Sequence, residues 1–169
     1  MKVDRIYIVG GSGAGKTFMA TKLSQKLKIK HYDLDNIVFK KNEFERVSEK
    51  IRDKIIKNIT NKAKWIIEGA YSKEWIIPIY KKADLVIIID VHHLILKKRI
   101  LFRVIKRKLG ILKWKKETLK DFIELYNYVN SYKKECLTKH KKFVKQYKNK
   151  FIILRSNGEI TKFLKEILK

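Results

Sequence analysis

Gly10-Gly11-Ser12-Gly13-Ala14-Gly15-Lys16-Thr17 follows directly on the apolar run Ile6-Tyr7-Ile8-Val9. The spacing is G-x-x-x-x-G-K-[ST], placed where a strand ends and a helix begins. Glycines let the chain wrap tightly, so that consecutive backbone N–H groups point into one cavity. The helix that follows adds its own unpaired N–H groups and the positive end of its dipole. Such a cradle holds a polyphosphate through Gly11, Ser12, Gly13, Ala14, Gly15, Lys16, Thr17 and Phe18. In this geometry Lys16 reaches the β- and γ-phosphates and the Thr17 hydroxyl ligates Mg²⁺.

The 169 residues are enough for one domain with a real core, spanning 1–169. Apolar residues make up 45%, an ordinary share for a globular chain. With Cys136 as the only cysteine, no intrachain disulfide can form, and a reducing, cytoplasmic setting is expected. The first strand begins within a few residues of Met1, which leaves no room for a signal peptide. The longest apolar run, Leu85 to Ile89, is too short to span a bilayer, so no membrane insertion is expected.

The net charge of +25 sets the chain apart. Such a surface attracts polyanions: nucleotides, nucleic acid or anionic lipid. The charge is concentrated, with 19 Lys/Arg against 4 Asp/Glu in residues 97–150. Yet only seven of the 42 basic residues are arginine, the side chain that grips phosphates and bases with a planar fork. A lysine-rich solvated surface and a polyanion-binding surface both fit this composition.

Apolar runs alternate with helical stretches, which implies a mostly parallel sheet covered on both faces. Strands are expected at 5–9, 30–32, 65–67, 84–89 and 151–154. The first helix runs over 16–28, with Phe18, Leu23 and Leu27 inward. Asn42 followed by Glu45 has the pattern of a helix cap, and the helix after it carries Phe44, Val47, Ile51, Ile55 and Ile59 at helical spacing. Ser72 is placed to cap a short helix that ends near Lys82. A basic helix spans about 92–109, and residues 111–116 form a Trp114-bearing loop in which stacking on a base and packing on a helix are both open. A long helix over about 117–148 carries the stripe Phe122, Tyr126, Val129, Cys136, Phe143 and Tyr147. Ser156 and Glu159 form a capping-box pattern for the last helix.

In open parallel sheets, ligands bind beyond the carboxyl ends of the strands. Here those ends are followed by the glycine loop, by Asp33 and Asp35, by Glu68, Gly69 and Tyr71, by Asp90, His92 and His93, and by Arg155, Ser156 and Asn157. Asp33 and Asp35 face the same way in an extended segment, where they can orient an acceptor hydroxyl or hold Mg²⁺ through water, or else cap a turn. Glu68 ends a strand next to the first and suits the acidic position beside Mg²⁺-bound water. Arg99, Arg103 and Arg107 drift by only ~40° per step on a helix and form one stripe. Ile100, Leu101, Val104 and Ile105 centre roughly 130° away, so the helix can bury one side and present guanidinium groups on another. His92 and His93 have no third ligand at a metal-site spacing and read as helix-start residues.

With these segments in this order, the chain resembles the adenylate-kinase-like branch of phosphate-loop kinases. More narrowly, it is similar to small bacterial and archaeal FlaR-like, or DNA topology modulation, proteins. The resemblance rests on the glycine loop, His31-Tyr32-Asp33-Leu34-Asp35, Trp65 to Ser72, Ala83 to Asp90 and the basic helix. It implies a three-layer αβα P-loop NTPase fold, with a five-stranded parallel sheet in the order 2-3-1-4-5 and a short helical lid at about 99–120. It further implies that Arg99 and Arg103 are lid arginines, that the ATP adenine lies near Arg155–Asn157, and that Arg46 or Arg52 contacts an anionic acceptor. Two motifs depart from relatives. Glu68-Gly69-Ala70-Tyr71 stands where Asp-Gly-Asn-Tyr is usual, and the Asp-Gly-Phe-Pro-Arg pattern of nucleoside-monophosphate kinases is absent.

The expectation is therefore an ATP- and Mg²⁺-dependent phosphotransferase acting on a small anionic or hydroxyl-bearing acceptor, such as a nucleoside monophosphate, as a monomer or homodimer. Lys16, Asp33, Asp35, Glu68, Arg99 and Arg103 carry the chemistry. Thr17, Glu68 and Asp35 attend the metal, and Arg99, Arg155 and Asn157 join the glycine loop on the nucleotide. A nucleic-acid-associated NTPase or polynucleotide end-kinase, and a nucleotide-binding regulator without turnover, are the alternatives.

Overall fold

The computed structural model describes residues 3–40, 45–110 and 119–168. Its elements are β1 (Arg5–Gly10), α1 (Lys16–Leu27), β2 (His31–Asp33), α2 (Asp35–Val38), α3 (Glu49–Thr60), β3 (Trp65–Gly69), α4 (Ile77–Lys82), β4 (Leu85–Ile89), α5 (His93–Lys108), α6 (Leu119–Ser131), α7 (Leu137–Gln146), β5 (Lys150–Leu154) and α8 (Asn157–Leu168). A 3₁₀ turn at Glu74–Ile76 precedes α4, and a π turn at Tyr132–Cys136 joins α6 to α7.

The five strands form one parallel sheet in the order β2-β3-β1-β4-β5, as expected. Each central strand is buried on both faces, which is why its sequence reads as an unbroken apolar run. Alternate residues serve opposite layers. Ile6, Ile8, Ile66, Ile87 and Ile89 pack with Met19 and Leu23 of α1, Ile100 of α5 and Phe163 of α8. Tyr7, Val9, Trp65, Ile67, Val86 and Ile88 pack with Ile56 and Ile59 of α3, Ile79 and Tyr80 of α4, and Val144 of α7. This is a three-layer αβα arrangement.

Arg5 and Asp84 lock the entry of β1 to that of β4, with Nη2 and Oδ1 2.6 Å apart and the Arg5 N–H donating to Oδ2 at 2.9 Å. In the second layer, the Tyr80 hydroxyl lies 2.6 Å from Nδ1 of His140. Burial pushes that imidazole down to about 3, so it stays neutral.

Several local expectations are corrected. The second strand is His31–Asp33, one residue later than its reading at 30–32. The helix expected from Asn42 begins only at Glu49. Segments 38–40 and 45–47 pair as a short antiparallel ribbon, with Lys40 N–H donating to Glu45 O and Val47 N–H to Val38 O, so these backbone groups are not available to a helix. Asn42 and Phe44 lie outside the described residues, as does the 111–116 loop with Trp114. Ile51 is exposed, and Ile56 takes the buried position instead. After Ser72 the chain makes a 3₁₀ turn before α4 begins, without a Ser72 cap.

Phe18 faces outward, because the phase of α1 buries Met19, Ala20 and Leu23. On α5, Ile100 is buried but Leu101 and Ile105 are exposed. The long helix is interrupted. Its buried positions run Val129, Tyr132, Leu137, His140 and Val144, and the step of five from Tyr132 to Leu137 exceeds an α-turn. The π turn supplies it, with Leu137 N–H donating to Tyr132 O. Tyr126 is exposed in the resulting phase. Among the described residues, no helix is long and apolar enough to cross a membrane.

The end of β3 clasps the chain after β2. Leu34 N–H donates to Glu68 O at 2.9 Å, and a Cβ on Gly69 would lie 2.7 Å from Leu34 Cδ1 and 2.9 Å from Leu34 Cβ. Gly69→Ala should therefore lower stability by ~1–3 kcal/mol and shift the urea midpoint down. An unchanged midpoint would show that Leu34 is not held against this glycine.

Candidate functional site

The loop from Gly10 to Thr17 is built by local constraints. Gly13 (φ 76°) and Gly15 (φ 99°) adopt the left-handed region that a side chain would disfavour. A Cβ on Gly10 would come within 3.0 Å of Ile89 O. Ala14 N–H donates to Gly11 O at 3.2 Å, closing the turn. α1 then starts at Lys16 with no side-chain cap and no acidic residue in its first turn, so its N-terminal field is uncompensated by its own sequence. Lys16 Nζ folds back to donate to Gly11 O at 3.1 Å.

β2, β3 and β1 end side by side, and Glu68, Asp35 and Asp33 at this edge all act on the charge of this lysine. Asp33 is in register with Glu68 across β2 and β3, while Glu68 pairs with Ile8 across β3 and β1. Crowding by protein atoms lowers the Lys16 pKa from the ordinary lysine value, against the pull of Glu68, Asp35 and Asp33; Arg103 lowers it further. Burial raises Asp33 to about 6, and repulsion from Glu68 and Asp35 adds to this, against the Asp35 N–H and Lys16. Burial also works against an ionised Glu68, but the neighbouring His31 imidazole, the charge of Lys16 and the Thr17 hydroxyl outweigh it and lower its pKa.

Asp33 and Asp35 play different parts. Asp33 Oδ1 accepts the Asp35 backbone N–H at 2.9 Å and so caps the turn into α2. Asp35 is exposed, and its Oδ1 accepts the Tyr71 hydroxyl at 2.8 Å. The Tyr71 ring lies 5.0 Å from Trp75, over which Arg52 stacks at 4.7 Å. Arg52 is engaged with Asp53 at 2.8 Å and Glu49 at 3.4 Å. Arg46 is exposed and lies over Phe39 at 5.8 Å.

On the other side of the loop, Arg99 Nη1 donates to Gly13 O at 2.8 Å, and its Nη2 donates to Asn157 Oδ1. Arg103 Nη1 lies 3.5 Å from Ser12 Oγ. The Arg107 side chain lies outside the described residues. Arg155 is exposed; its N–H donates to Glu159 Oε2, and Glu159 N–H donates to Ser156 Oγ, which realises the capping box. Asp90 lies 3.9 Å from Lys133 and 3.4 Å from Lys141. The His92 and His93 rings lie 4.3 Å apart where α5 starts.

Two participants escape a reading by motif. His31 Nε2 lies 3.5 Å from Glu68 Oε1, and both atoms are buried without a hydrogen-bond partner among the described residues. The i, i+2 alternation of His31 with Asp33 was the available signal, since both share one face of β2. Tyr71 anchors Asp35 from a loop whose path no periodicity predicts.

The residues present fit a polyphosphate with a divalent cation. Lys16 now donates to a neutral carbonyl, and an anionic oxygen would accept that bond more strongly. The orphaned Glu68 Oε1 suits a metal-bound water, and Mg²⁺ takes few protein ligands beside water and phosphates. Among the described residues, no group of three or more His, Cys, Asp or Glu could hold a metal alone.

No protein-family model matches the sequence, and no curated protein sequence matches it. Solved structures do match in fold. The shikimate kinase of Acinetobacter baumannii, in complex with shikimate, superposes with a TM-score of 0.63 at 16% identity, over 99% of this chain and 92% of that one. The shikimate kinase of Bacteroides thetaiotaomicron gives 0.58 at 17% identity, over 98% and 96%. A sugar kinase from a Janibacter species gives 0.57 at 11% identity, over 99% and 93%. The chain thus has the P-loop NTPase fold in the form found in these small kinases.

The raised Asp33 pKa has a consequence for stability. The folded chain holds this proton more tightly than the unfolded chain does. Its contribution is therefore full below about pH 4 and is lost as pH rises through about 6. Asp33→Asn should flatten that decline in urea midpoints measured across this window. An equally steep decline in the variant would assign it to another group.

Proposed function

We propose that the protein is an ATP- and Mg²⁺-dependent small-molecule kinase, within the adenylate-kinase-like branch that its motif order resembles. The reading is carried by one observation. Lys16 sits in a glycine loop of left-handed turns with Asp33, Asp35 and Glu68 around its ammonium, while Arg99 and Arg103 reach the same loop from α5.

Phosphoryl transfer depends mostly on positioning and charge neutralisation. The loop N–H groups and Lys16 take the β- and γ-phosphate oxygens. Thr17, with Glu68 and Asp35 acting through water, would hold Mg²⁺, which supplies further charge neutralisation there. Arg99 leaves Gly13 O, and Arg103 leaves Ser12, to meet the charge of the transferring group. Arg99 is tied to Asn157, which supports a nucleobase near Arg155–Asn157.

Asp35 is the group for the acceptor. Tyr71 occupies one of its oxygens, and the carboxylate is otherwise open to solvent. Asp35 takes the proton of an acceptor hydroxyl as that oxygen forms its bond to the γ-phosphorus and the bond to the β-phosphate oxygen breaks, leaving ADP. Arg46, exposed on the same side, is the better placed of the two arginines for an anionic acceptor, because Arg52 already faces two carboxylates.

The test is a screen of sugars, small hydroxy acids, nucleosides, nucleotides and oligonucleotides with labelled ATP. Lys16→Ala should reduce transfer by ~100-fold or more with the fold retained, as read by circular dichroism. Full transfer by that variant would remove the mechanism. Asp35→Asn should lower kcat by ~10²–10⁴-fold while the KM for ATP changes little. An unchanged kcat would move the base elsewhere.

A further inference from the structure

α5 is apolar on two opposite faces, and among the described residues only one of them is covered. Leu96 and Ile100 are buried against the sheet. Leu94, Ile95, Leu101, Phe102, Ile105 and Leu109 are exposed, with Leu94 at 61%, Phe102 at 53% and Leu109 at 67%. At 100° per residue these six fall within an arc of roughly 120°, about opposite the buried stripe. Together they present on the order of several hundred Å² of apolar surface, as much as the largest patch on an ordinary monomer.

The charge of this face is one-sided. Lys98 lies in the middle of the arc and Lys106 on one rim, both exposed. Lys97 stands on the other rim, 4.3 Å from the ring of Tyr126. α5 contains no acidic residue. Arg99 and Arg103 point instead to the glycine loop, roughly 100–140° around the helix from the centre of the exposed arc.

We propose that this face of α5 docks the protein on an anionic phospholipid surface. The helix lies in the plane of the interface, its Leu, Ile and Phe side chains enter the acyl boundary, and its lysines rise to the headgroups. Charge complementarity selects this occupant. A second copy would bring another +25 and the same lysines against this face. A nucleic acid would meet the lysines but leave six large apolar side chains against phosphates. An anionic bilayer satisfies both components, and it leaves the glycine loop open, since the loop is served by a different side of the helix.

The experiment is flotation of the full chain with phosphatidylcholine vesicles, with and without one-third phosphatidylglycerol, at physiological salt. Binding to the anionic vesicles is expected, with little to pure phosphatidylcholine. Leu101→Ser/Ile105→Ser should reduce the bound fraction about tenfold or more, because membrane binding scales with buried apolar area. The pair Leu94→Ser/Leu109→Ser, at the ends of the face, should act in the same direction and covers the case in which the first pair fails to fold. Absence of binding to anionic vesicles overturns the proposal. So does binding that both pairs leave unchanged, which would assign it to bulk charge. Light scattering and a labelled oligonucleotide, run alongside, overturn it if the pairs abolish a dimer or a nucleic-acid complex while vesicles remain unbound.

Discussion

Three carboxylates and one ammonium share the space where β1, β2 and β3 end, and the rest of the structure arranges that crowding. Parallel register sets Asp33 beside Glu68, and the bond from Leu34 N–H to Glu68 O holds the next turn down, so that Asp35 emerges at the same edge. Burial raises Asp33, repulsion from Glu68 and Asp35 adds to it, and Lys16 relieves part of it. Without a cation at position 16, the three acids would be forced together with no internal counter-charge. With it, the site is a set of mutually compensating groups, and under the proposed function a Mg²⁺–polyphosphate enters by taking over contacts the protein now makes with itself. Lys16 on Gly11 O, Arg99 on Gly13 O and Arg103 beside Ser12 are all contacts of that kind.

Much of this was legible from residues alone, for a physical reason. The central strands are buried on both faces, so they appear as apolar runs, and parallel connectivity forces their carboxyl ends to one edge. The glycine loop is legible because its backbone path demands glycine at Gly13 and Gly15. The gathering of Lys16, Asp33, Asp35 and Glu68 follows from these two constraints, whereas the sheet order was implied only by the resemblance to phosphate-loop kinases. Side-chain phase was harder. Phe18 faces outward because α1 is phased by its start at Lys16, and the reading at 117–148 missed the π turn because a step of five residues has no place in a 3.6-residue pattern. The delayed start of α3 reflects pairing between 38–40 and 45–47, a tertiary choice that overrode a capping pattern. His31 and Tyr71 act through partners distant in sequence, Glu68 and Asp35, so alternation with Asp33 and position after β3 could place them at the edge but not assign their contacts.

α5 shows how one helix serves three surroundings. Its buried stripe fixes it on the sheet, its arginines reach the glycine loop, and its remaining face is apolar and basic. The excess of lysine over arginine in the chain is consistent with this division, since lysine suits a hydrated or headgroup rim while arginine is reserved for oriented contacts. The two arginines that touch the loop belong to a chain that uses only seven.

The most direct measurement is phosphorus NMR of ATP and Mg²⁺ incubated with the protein and an acceptor that the screen selects. The account predicts that ADP and a new acceptor–phosphate resonance grow together, one for one, over many turnovers. ADP rising with inorganic phosphate alone, or ATP binding without turnover, would contradict it.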